Sequence, residues 1–284
     1  KEFAGIDAVP IVLDVHSADE IVAAVKAIAP GFGGINLEDI AAPICFEVEK
    51  RLKKELDIPV MHDDQHGTAI VVLAGLINAS KLTNRKLNEC WVVVNGVGAA
   101  GIAVTRLLKI YAPKINILAV DSKGIISKDR RDLNSAKQNL VKDKVIVSEE
   151  SGDLAKALLG ADIFIGVSKG NILEAEHIKS MDKKPIIFAM ANPVPEIMPD
   201  LAKQAGAAVV ATGRSDLPNQ INNALVFPGV FRGALDNKVG QITTNHKIAA
   251  AEAIASLVEN PTAEGIIPTI FNKNLVPAIA KTII

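Results

Sequence analysis

The stretch VVVNGVGAAGIAVTRLL (residues 92–108) constrains the fold more than any other part of the sequence. An apolar run of strand type leads into glycines with the spacing G-x-G-x-x-G, and an apolar helix pattern follows. The first glycine suits a tight turn, the second lets backbone amides approach a pyrophosphate, and the third lets the helix pack closely on the strand. We therefore predict a dinucleotide-binding turn, and the alternative is a glycine turn that binds nothing. The predicted cofactor-binding residues of the turn are Gly96, Gly98, Ala99, Ala100 and Gly101.

An acidic residue stands where such a unit contacts the adenosine ribose. Asp121 follows Gly101 by 20 residues and ends the next apolar run. Its carboxylate would accept hydrogen bonds from the ribose hydroxyls and repel a 2′-phosphate, which favours NAD. Lys123 could offset part of that charge, so NADP remains possible.

Six apolar runs of strand length occur between residues 90 and 213, and helical patterns separate most of them. Strands this uniformly apolar are typical of a parallel sheet that helices cover on both faces. We therefore predict an α/β fold with a Rossmann-like, doubly wound parallel sheet. The predicted strands are CWVVVN (90–95), INILAVD (115–121), KVIVS (144–148), DIFIGVS (162–168), PIIFAMAN (185–192) and AAVVATG (207–213).

The chain before the glycine turn predicts part of a smaller α/β domain. VPIVLDV (9–15) is rich in β-branched residues and predicts a strand, and Ser17 with Glu20 forms a capping box that begins a helix. IPVM (58–61) predicts a short strand, and TAIVVLAGLINA (68–79) predicts a buried helix.

Three segments follow from these patterns. Residues 1–84 are predicted to belong to the smaller N-terminal domain and 85–238 to form the dinucleotide-binding domain. Residues 239–284 are predicted to form C-terminal helices that fold back on the first segment or make a subunit contact.

Composition excludes several classes of function. The net charge of −1 gives no electrostatic basis for binding nucleic acid or an anionic membrane. No apolar stretch approaches the roughly 20 residues of a membrane span. The two cysteines, Cys45 and Cys90, lie far apart, which suits a reducing cytoplasm. The chain does not begin with methionine, so we expect an N-terminal part to be missing.

Two pairs of acids suggest a metal site. Asp63 and Asp64 follow the strand IPVM, and Glu38 and Asp39 follow a glycine-rich turn upstream. Carboxylates at the ends of neighbouring βα segments could converge, and oxygen ligands suit Mg²⁺ or Mn²⁺. A hydride-transfer cofactor beside such a cation suggests a chelating substrate, such as a 2-hydroxy acid. The alternatives are exposed turn or helix-capping acids.

Zinc is a weaker interpretation of the same stretch. His62 and His66 lie four positions apart, but HDDQH is not the helical H-E-x-x-H motif. We predict no ligand role for His62, which could equally be a hydrogen-bonded core histidine.

Five motifs, spread in order from about residue 2 to the end, resemble the malic enzymes, most closely their short bacterial type. The resemblance implies that the protein oxidises malate with NAD or NADP and decarboxylates the resulting oxaloacetate to pyruvate and CO₂. It also implies a homodimer. The motifs are GFGGINLEDI, IPVMHDDQHGTAIVVLAGL, VVNGVGAAGIA, FAMANPVPE and ATGRSDLPNQINNALVFPGVFRGAL.

The same resemblance assigns roles to individual residues. The metal ligands would be Glu38, Asp39 and Asp64, while Asp63 matches a neighbouring acid linked to the catalytic lysine. Further asparagines match positions that contact nicotinamide, ribose or the substrate carboxylate. These are Asn192 and Asn222 for the cofactor, and Asn192 and Asn223 for the substrate.

One departure from the family pattern concerns proton transfer. The family's general-acid tyrosine and general-base lysine lie upstream of these residues, and Lys1 matches a lysine just after the catalytic one. The only tyrosine, Tyr111, is expected to be structural. We expect this chain alone to bind cofactor and metal with little or no malate oxidation. The alternatives are a non-catalytic dinucleotide-binding or regulatory module, and another Rossmann dehydrogenase such as an amino-acid dehydrogenase.

Overall fold

The N-terminal part of the chain forms a small parallel sheet covered by helices. The computed structural model describes residues 1–284. Strands β1 and β2 pair in parallel so that Leu37 lies opposite His62. The predicted capping box is confirmed, because the Ser17 hydroxyl accepts from the Glu20 backbone amide and the Glu20 side chain accepts in return. The elements are α1 (Ala18–Ile28), β1 (Ile35–Leu37), α2 (Ile44–Glu55) and β2 (Val60–His62).

A second, six-stranded sheet forms the centre of the molecule. Its strand order is β5-β4-β3-β6-β7-β8, and every neighbouring pair is parallel except β4 with β5. The order reverses beside β3, which places a ligand crevice at the carboxyl ends of β3 and β6. The predicted fold class is confirmed. The strands are β3 (Trp91–Asn95), β4 (Asn116–Asp121), β5 (Gly124–Ile125), β6 (Ile163–Gly166), β7 (Ile186–Ala189) and β8 (Val209–Thr212).

Helices cover both faces of this sheet. No helix combines the length and the apolar character that crossing a membrane requires. The helices are α3 (Asp63–Thr83), α4 (Ala99–Tyr111), α5 (Ser135–Lys142), α6 (Leu154–Leu158), α7 (Ala175–Ser180), α8 (Pro199–Gln204), α9 (Phe227–Asp236), α10 (Thr244–Ser256) and α11 (Leu275–Ala280).

The strands are apolar throughout because their alternate side chains enter two different cores. In β3, Val92 and Val94 belong to the larger core with α3, α4 and α10, whereas Val93 belongs to the smaller core on the opposite face. In β6, Ile163 and Ile165 likewise face the larger core. Burial on both faces therefore replaces the alternation of polar and apolar residues that a half-exposed strand would show.

The prediction of a strand at residues 9–15 is wrong. This segment lies in no helix or strand, and Val12 is 97% exposed. β-Branched residues favour an extended chain, but a strand also needs a hydrogen-bonded neighbour. The small sheet contains only β1 and β2, so the segment has no strand to pair with.

The prediction of a strand at residues 144–148 is also wrong. The run passes beside β4, where the Val147 amide donates to the Ile117 carbonyl at 2.8 Å, but no ladder forms. The left-handed backbone of Lys144 (φ 54°) breaks the run at its first residue. The outer position is taken instead by strand β5, which has only two residues and is too short to show an apolar pattern.

The C-terminal helices fold back on the core, as one of the two sequence predictions proposed. Helix α10 packs against α3, and α11 packs against α9. The fully buried Asn78 of α3 joins these elements, because its amide group donates to the carbonyls of Ala255 and Ile266, each at 2.9 Å. Helix α3 also packs against α4, and the domain boundary near residue 84 stays a prediction.

Asn78→Ala should lower the free energy of unfolding by about 2 kcal/mol, because it removes two hydrogen bonds to buried carbonyl groups. Urea unfolding monitored by circular dichroism measures this difference. The exposed Asn260, whose side chain makes no hydrogen bond, provides the matched control, and Asn260→Ala should stay within about 0.5 kcal/mol of wild type. Equal stabilities for the two variants would contradict the role of Asn78.

Candidate active site

The two acidic pairs lie side by side because the strands that precede them are paired. Leu37 ends β1 and lies opposite His62, which ends β2. Glu38 and Asp39 follow the first strand directly, while Asp63 and Asp64 form the first turn of α3. The buried helix begins at Asp63 and not at the predicted residue 68, so its N-terminal partial positive charge lies beside these acids.

Asp39 and Asp64 are in direct contact. The Asp39 amide donates to the Asp64 Oδ2 atom at 2.9 Å, and Asp39 adopts a left-handed backbone with φ 57°. A non-glycine residue in this region stores strain that the surrounding contacts must offset. Burial, together with the charges of Asp64 and Asp39, raises the pKa of the Glu38 carboxyl above its usual value.

Asp63 differs from its neighbours because it is fully buried. Burial raises the pKa of Asp63 to about 7, the charge of Glu38 acts in the same direction, and a hydrogen bond from Asn223 opposes both. Asn223 Nδ2 donates to Asp63 Oδ2 at 2.7 Å, while Asp63 Oδ1 has no partner. Gly67 makes room for this carboxyl, since a side chain there would overlap Asp63 Oδ1.

The donor set fits a hard divalent cation, although the side chains do not enclose one as they stand. No group of three or more His, Cys, Asp or Glu side chains is arranged to hold a metal ion. The only basic side chain within ion-pair distance of these acids is His62, 3.9 Å from Asp64. Carboxylate oxygens gathered beside a neutral histidine, with no other basic side chain in reach, are the ligands that Mg²⁺ or Mn²⁺ prefers.

His62 caps the helix that carries the acids. Its ring is fully buried, and Nδ1 accepts from the Gln65 amide at 3.3 Å, while Nε2 has no hydrogen-bond partner. Burial lowers the pKa of His62, so the ring is held neutral. Capping gives His62 a structural role, as one of the sequence interpretations proposed.

A buried polar chain fixes the start of α3 from behind. Glu49 of α2 accepts from the His62 backbone amide at 3.2 Å and pairs with Lys53 at 2.6 Å. Its carboxylate also lies 2.9 Å from His66 Nε2, and His66 Nδ1 lies 2.9 Å from Lys247 Nζ. A carboxylate only accepts, so the neutral imidazole donates from Nε2 to Glu49 and accepts from Lys247.

The pKa values in this chain follow from burial. Burial lowers the pKa of His66 to about 4 and that of Lys247 to about 7, with the charge of Lys53 contributing to the latter. Burial alone would raise the pKa of Glu49, but the hydrogen bond from His66 and the charge of Lys53 hold it below its usual range. The linked side chains of Glu49, His66 and Lys247 therefore join α2, α3 and α10 near the acid cluster.

The glycine turn has the geometry that a dinucleotide-binding unit requires. Gly96 has φ 108°, and a side chain at Gly101 would overlap the Gly96 carbonyl oxygen. A side chain at Gly98 would meet nothing within 4 Å, so the backbone there is open to a ligand. Gly98 precedes α4 without a side-chain cap, and the first amides of that helix therefore remain available to a phosphate, with Ala99 and Ala100 as its first residues.

Asp121 ends β4, and its carboxylate is already paired with basic side chains. Arg130 contacts both carboxylate oxygens, at 2.7 Å and 3.2 Å, and Lys137 Nζ lies 2.6 Å from Oδ2. The Lys123 amide donates to Oδ1 at 2.9 Å. Burial would raise the pKa of Asp121, but these hydrogen bonds lower it. The predicted offset of the Asp121 charge therefore comes mainly from Arg130 and Lys137.

The predicted asparagines occupy two loops at the carboxyl edges of β7 and β8. Asn192 is exposed and precedes a cis peptide bond to Pro193. Asn222 caps a short 3₁₀ turn, with its side chain accepting from the Ala224 amide at 2.9 Å. Asn223 follows and reaches Asp63, as described above.

Several polar residues of the site have no sequence pattern that predicts them. Arg130 and Lys137 lie in a stretch that looks like an ordinary charged surface, and nothing in sequence connects Glu49 with Lys247. The Asn223–Asp63 contact joins residues separated by 160 positions. The capping position of His62 could have been found, since it separates a strand from a helix.

Known families account for most of the chain. Residues 65–283 match the family described as malic enzyme, NAD binding domain, and residues 1–53 match malic enzyme, N-terminal domain.

Individual relatives agree with these matches. The chain is 53% identical to a bifunctional malic/malolactic enzyme of Bacillus subtilis (strain 168), over 100% of the chain and 69% of that protein. It is 50% identical to an NADP-dependent malic enzyme of Rhizobium meliloti (strain 1021), over 91% of the chain and 34% of that protein. The structure of an NAD-dependent malic enzyme from Thermotoga maritima is similar with a TM-score of 0.95 at 50% identity, over 99% of the chain and 74% of that structure. The chain therefore spans only part of each of these proteins.

The buried Lys247 should make stability depend on pH. The pKa of this lysine falls from 10.5 to about 7 on folding, so between these pH values the unfolded chain binds more protons. The free energy of unfolding should therefore rise from pH 7 to pH 10, by up to about 1 kcal/mol per pH unit, and this stability is lost as pH falls through 7.

Urea unfolding of Lys247→Met across the same pH range tests this dependence. The substitution should remove the additional slope, whereas Lys54→Met, at an exposed position of α2, should retain it. Parallel pH profiles for wild type and Lys247→Met would show that Lys247 titrates normally.

Proposed function

The chain belongs to the malic enzyme family, and from this membership we propose that the protein oxidises malate with NAD or NADP and decarboxylates the product to pyruvate and CO₂. The hydrogen bond of 2.7 Å between Asn223 and Asp63 carries this proposal. Asn223 follows β8 of the dinucleotide-type sheet, whereas Asp63 belongs to the acid cluster. This contact supports a single site that would combine a metal bound by the acid cluster with a nicotinamide cofactor bound by the larger sheet.

We assign the metal to three carboxylates. Glu38, Asp39 and Asp64 would hold Mg²⁺ or Mn²⁺, since all three lie at the paired ends of β1 and β2. A bound divalent cation supplies Lewis acidity toward the oxygens of a 2-hydroxy acid and stabilises negative charge during the loss of CO₂. Burial first, and then the charges of Asp64 and Asp39, raise the pKa of Glu38, and no basic side chain except the neutral His62 lies within ion-pair distance of these acids.

Asp63 takes a different role because it is buried. Asn223 Nδ2 fixes the orientation of this carboxyl group by donating to Oδ2, and the unpartnered Oδ1 leaves the group available for proton transfer. Asn192, Asn222 and Asn223 would orient the substrate carboxylate and the nicotinamide riboside, since neutral amides hydrogen-bond without competing for the cation.

The cofactor preference depends on Asp121. In this structure its two oxygens accept from Lys123, Arg130 and Lys137. A ribose hydroxyl must therefore share or displace one of these donors, whereas a 2′-phosphate would find two cations beside it. We propose that NAD is used and that Lys137 and Arg130 also admit NADP.

We also propose a cytoplasmic location and a homodimer. Cys45 and Cys90 are both buried free thiols, which is consistent with a reducing compartment. The exposed Phe3 and Phe271 lie together, with ring centroids 6.3 Å apart, and form an apolar surface suited to a subunit contact.

The full-length protein, supplied with malate, Mn²⁺ and NAD, should form NADH and pyruvate in equal amounts. Asp64→Asn should weaken Mn²⁺ binding and turnover by about a hundredfold or more, since loss of a direct ligand should exceed the roughly 10–100-fold effect of an outer partner. Electron paramagnetic resonance measures free Mn²⁺, and absorbance measures NADH.

The exposed Asp57, which forms no ion pair, provides the matched control, and Asp57→Asn should change neither quantity. Unaltered Mn²⁺ affinity in Asp64→Asn would refute the metal assignment. NADH formation without pyruvate would refute the decarboxylation step.

Lys137→Ala should weaken NADPH binding relative to NADH binding by about tenfold, because it removes a charge-assisted contact available only to a 2′-phosphate. Fluorescence titration with both reduced cofactors gives the ratio of dissociation constants. Lys142→Ala, at an exposed position in the last turn of the same helix, should leave the ratio unchanged. Equal weakening of both cofactors by Lys137→Ala would show that Lys137 does not discriminate between them.

A further inference from the structure

Glu196 is a fully buried carboxylate with no cationic partner. It lies in the loop between β7 and α8, and only backbone amides contact its oxygens. The Ser168 amide donates to Oε1 at 3.2 Å, and the Ala191 amide donates to Oε2 at 3.0 Å. Burial raises the pKa of Glu196, whereas these backbone hydrogen bonds lower it.

The surrounding structure makes room for this side chain. A side chain at Gly166 would overlap the Glu196 carboxyl group, so the last residue of β6 has to be small. A buried carboxylate without a counter-charge destabilises a fold unless hydrogen bonds compensate. Its placement here therefore indicates a function at the ends of β6 and β7.

The two amide donors belong to the loops that border the cofactor crevice. Ser168 follows β6, and Ala191 lies just before Asn192 after β7. The Ser168 hydroxyl also accepts from Asn95 Nδ2 at 2.8 Å, which links the β6 loop to the strand that enters the glycine turn. Glu196 thus connects the β7 loop, through the β6 loop, to the end of β3.

Backbone contacts make this connection rigid. The Asn171 amide donates to the Pro195 carbonyl, and the Leu173 amide donates to the Glu196 carbonyl, each at 3.0 Å. The Met190 amide donates to the Gly166 carbonyl, also at 3.0 Å. With its side chain and its own carbonyl both bonded to the β6 loop, Glu196 is the central residue of this set.

We propose that Glu196 is a positioning residue for the nicotinamide half of the bound dinucleotide, acting through the amides of Ser168 and Ala191. The inference rests on the proposed function, since it requires a dinucleotide in the crevice between β3 and β6. The adenosine half would lie beside Asp121 and the glycine turn, and the Glu196 side chain hydrogen-bonds directly to neither. The carboxylate therefore affects one end of the cofactor selectively.

A carboxylate is needed because both oxygens accept. In Glu196→Gln, one acceptor becomes an NH₂ group that faces a backbone N–H, so one of the two loops loses its anchor. NADH should then bind about tenfold more weakly, the effect of losing one hydrogen bond to a charged group. ADP-ribose, which lacks nicotinamide, should bind with unchanged affinity.

Calorimetric titration of wild type, Glu196→Gln and Glu176→Gln with NADH and with ADP-ribose tests this inference. Glu176 is the matched control, because its side chain is 77% exposed on α7 and should affect neither ligand. Equal weakening of both ligands by Glu196→Gln, or of neither, overturns the positioning role. Failure of wild type to bind either ligand overturns the proposed function itself, and the inference with it.

A second test begins with the wild-type protein, so its first measurement does not depend on the stability of any variant. In the wild-type protein without ligand, the amides of Ser168 and Ala191 should exchange slowly with solvent deuterium, because a buried carboxylate accepts both. Gly166→Ala, which introduces a methyl group into the space of the carboxyl, should accelerate both exchanges and weaken NADH binding but not ADP-ribose binding. Fast exchange of these amides in wild type would overturn the proposal.

Discussion

The negative charge gathered at the start of α3 is the constraint on which the site depends. Four carboxylates follow two paired strands, and His62, a buried neutral ring, is the only basic side chain within reach. The N-terminus of α3 favours negative charge, but burial is the stronger effect at Asp63 and raises its pKa to about 7. Such an arrangement is unfavourable in isolation and favourable beside a divalent cation.

The fold maintains this arrangement by enclosing α3. The helix packs against α4 of the dinucleotide unit and α10 of the C-terminal segment. Its Asn78 side chain also donates hydrogen bonds to the carbonyls of Ala255 and Ile266. At its other end, Glu49 and Lys247 hold His66 from opposite sides. Asp63 and Asp64 therefore project from a rigid helix, and the polar groups that fix this helix come from other segments of the chain.

A similar use of buried charge occurs at the larger sheet. Asp121 ends β4 and Glu196 lies in the loop after β7, on either side of the glycine turn, but their partners differ. Asp121 is neutralised by Arg130 and Lys137, whereas Glu196 is held only by backbone amides. The first arrangement places charge beside the predicted ribose position, and the second organises loops without adding a cation near a positively charged nicotinamide ring.

The sequence by itself determined the elements and the chemistry of the sites. Strands buried on both faces, the glycine turn and the Ser17 capping box follow from local residue patterns, and the structure has all three. The motifs also identified the family, because long matching stretches preserve their order. The residues that would bind metal and cofactor were named from those motifs, and their roles stay proposals.

Only the tertiary structure decided which groups meet. Residues 9–15 form no strand because pairing depends on a neighbour, which β-propensity cannot supply. The partners of Asp63, Asp121 and Lys247 come from other elements, and the two-residue strand β5 takes the outer position beside β4. Local patterns record how each segment folds, whereas charge compensation and hydrogen bonding across segments depend on packing that no single stretch contains.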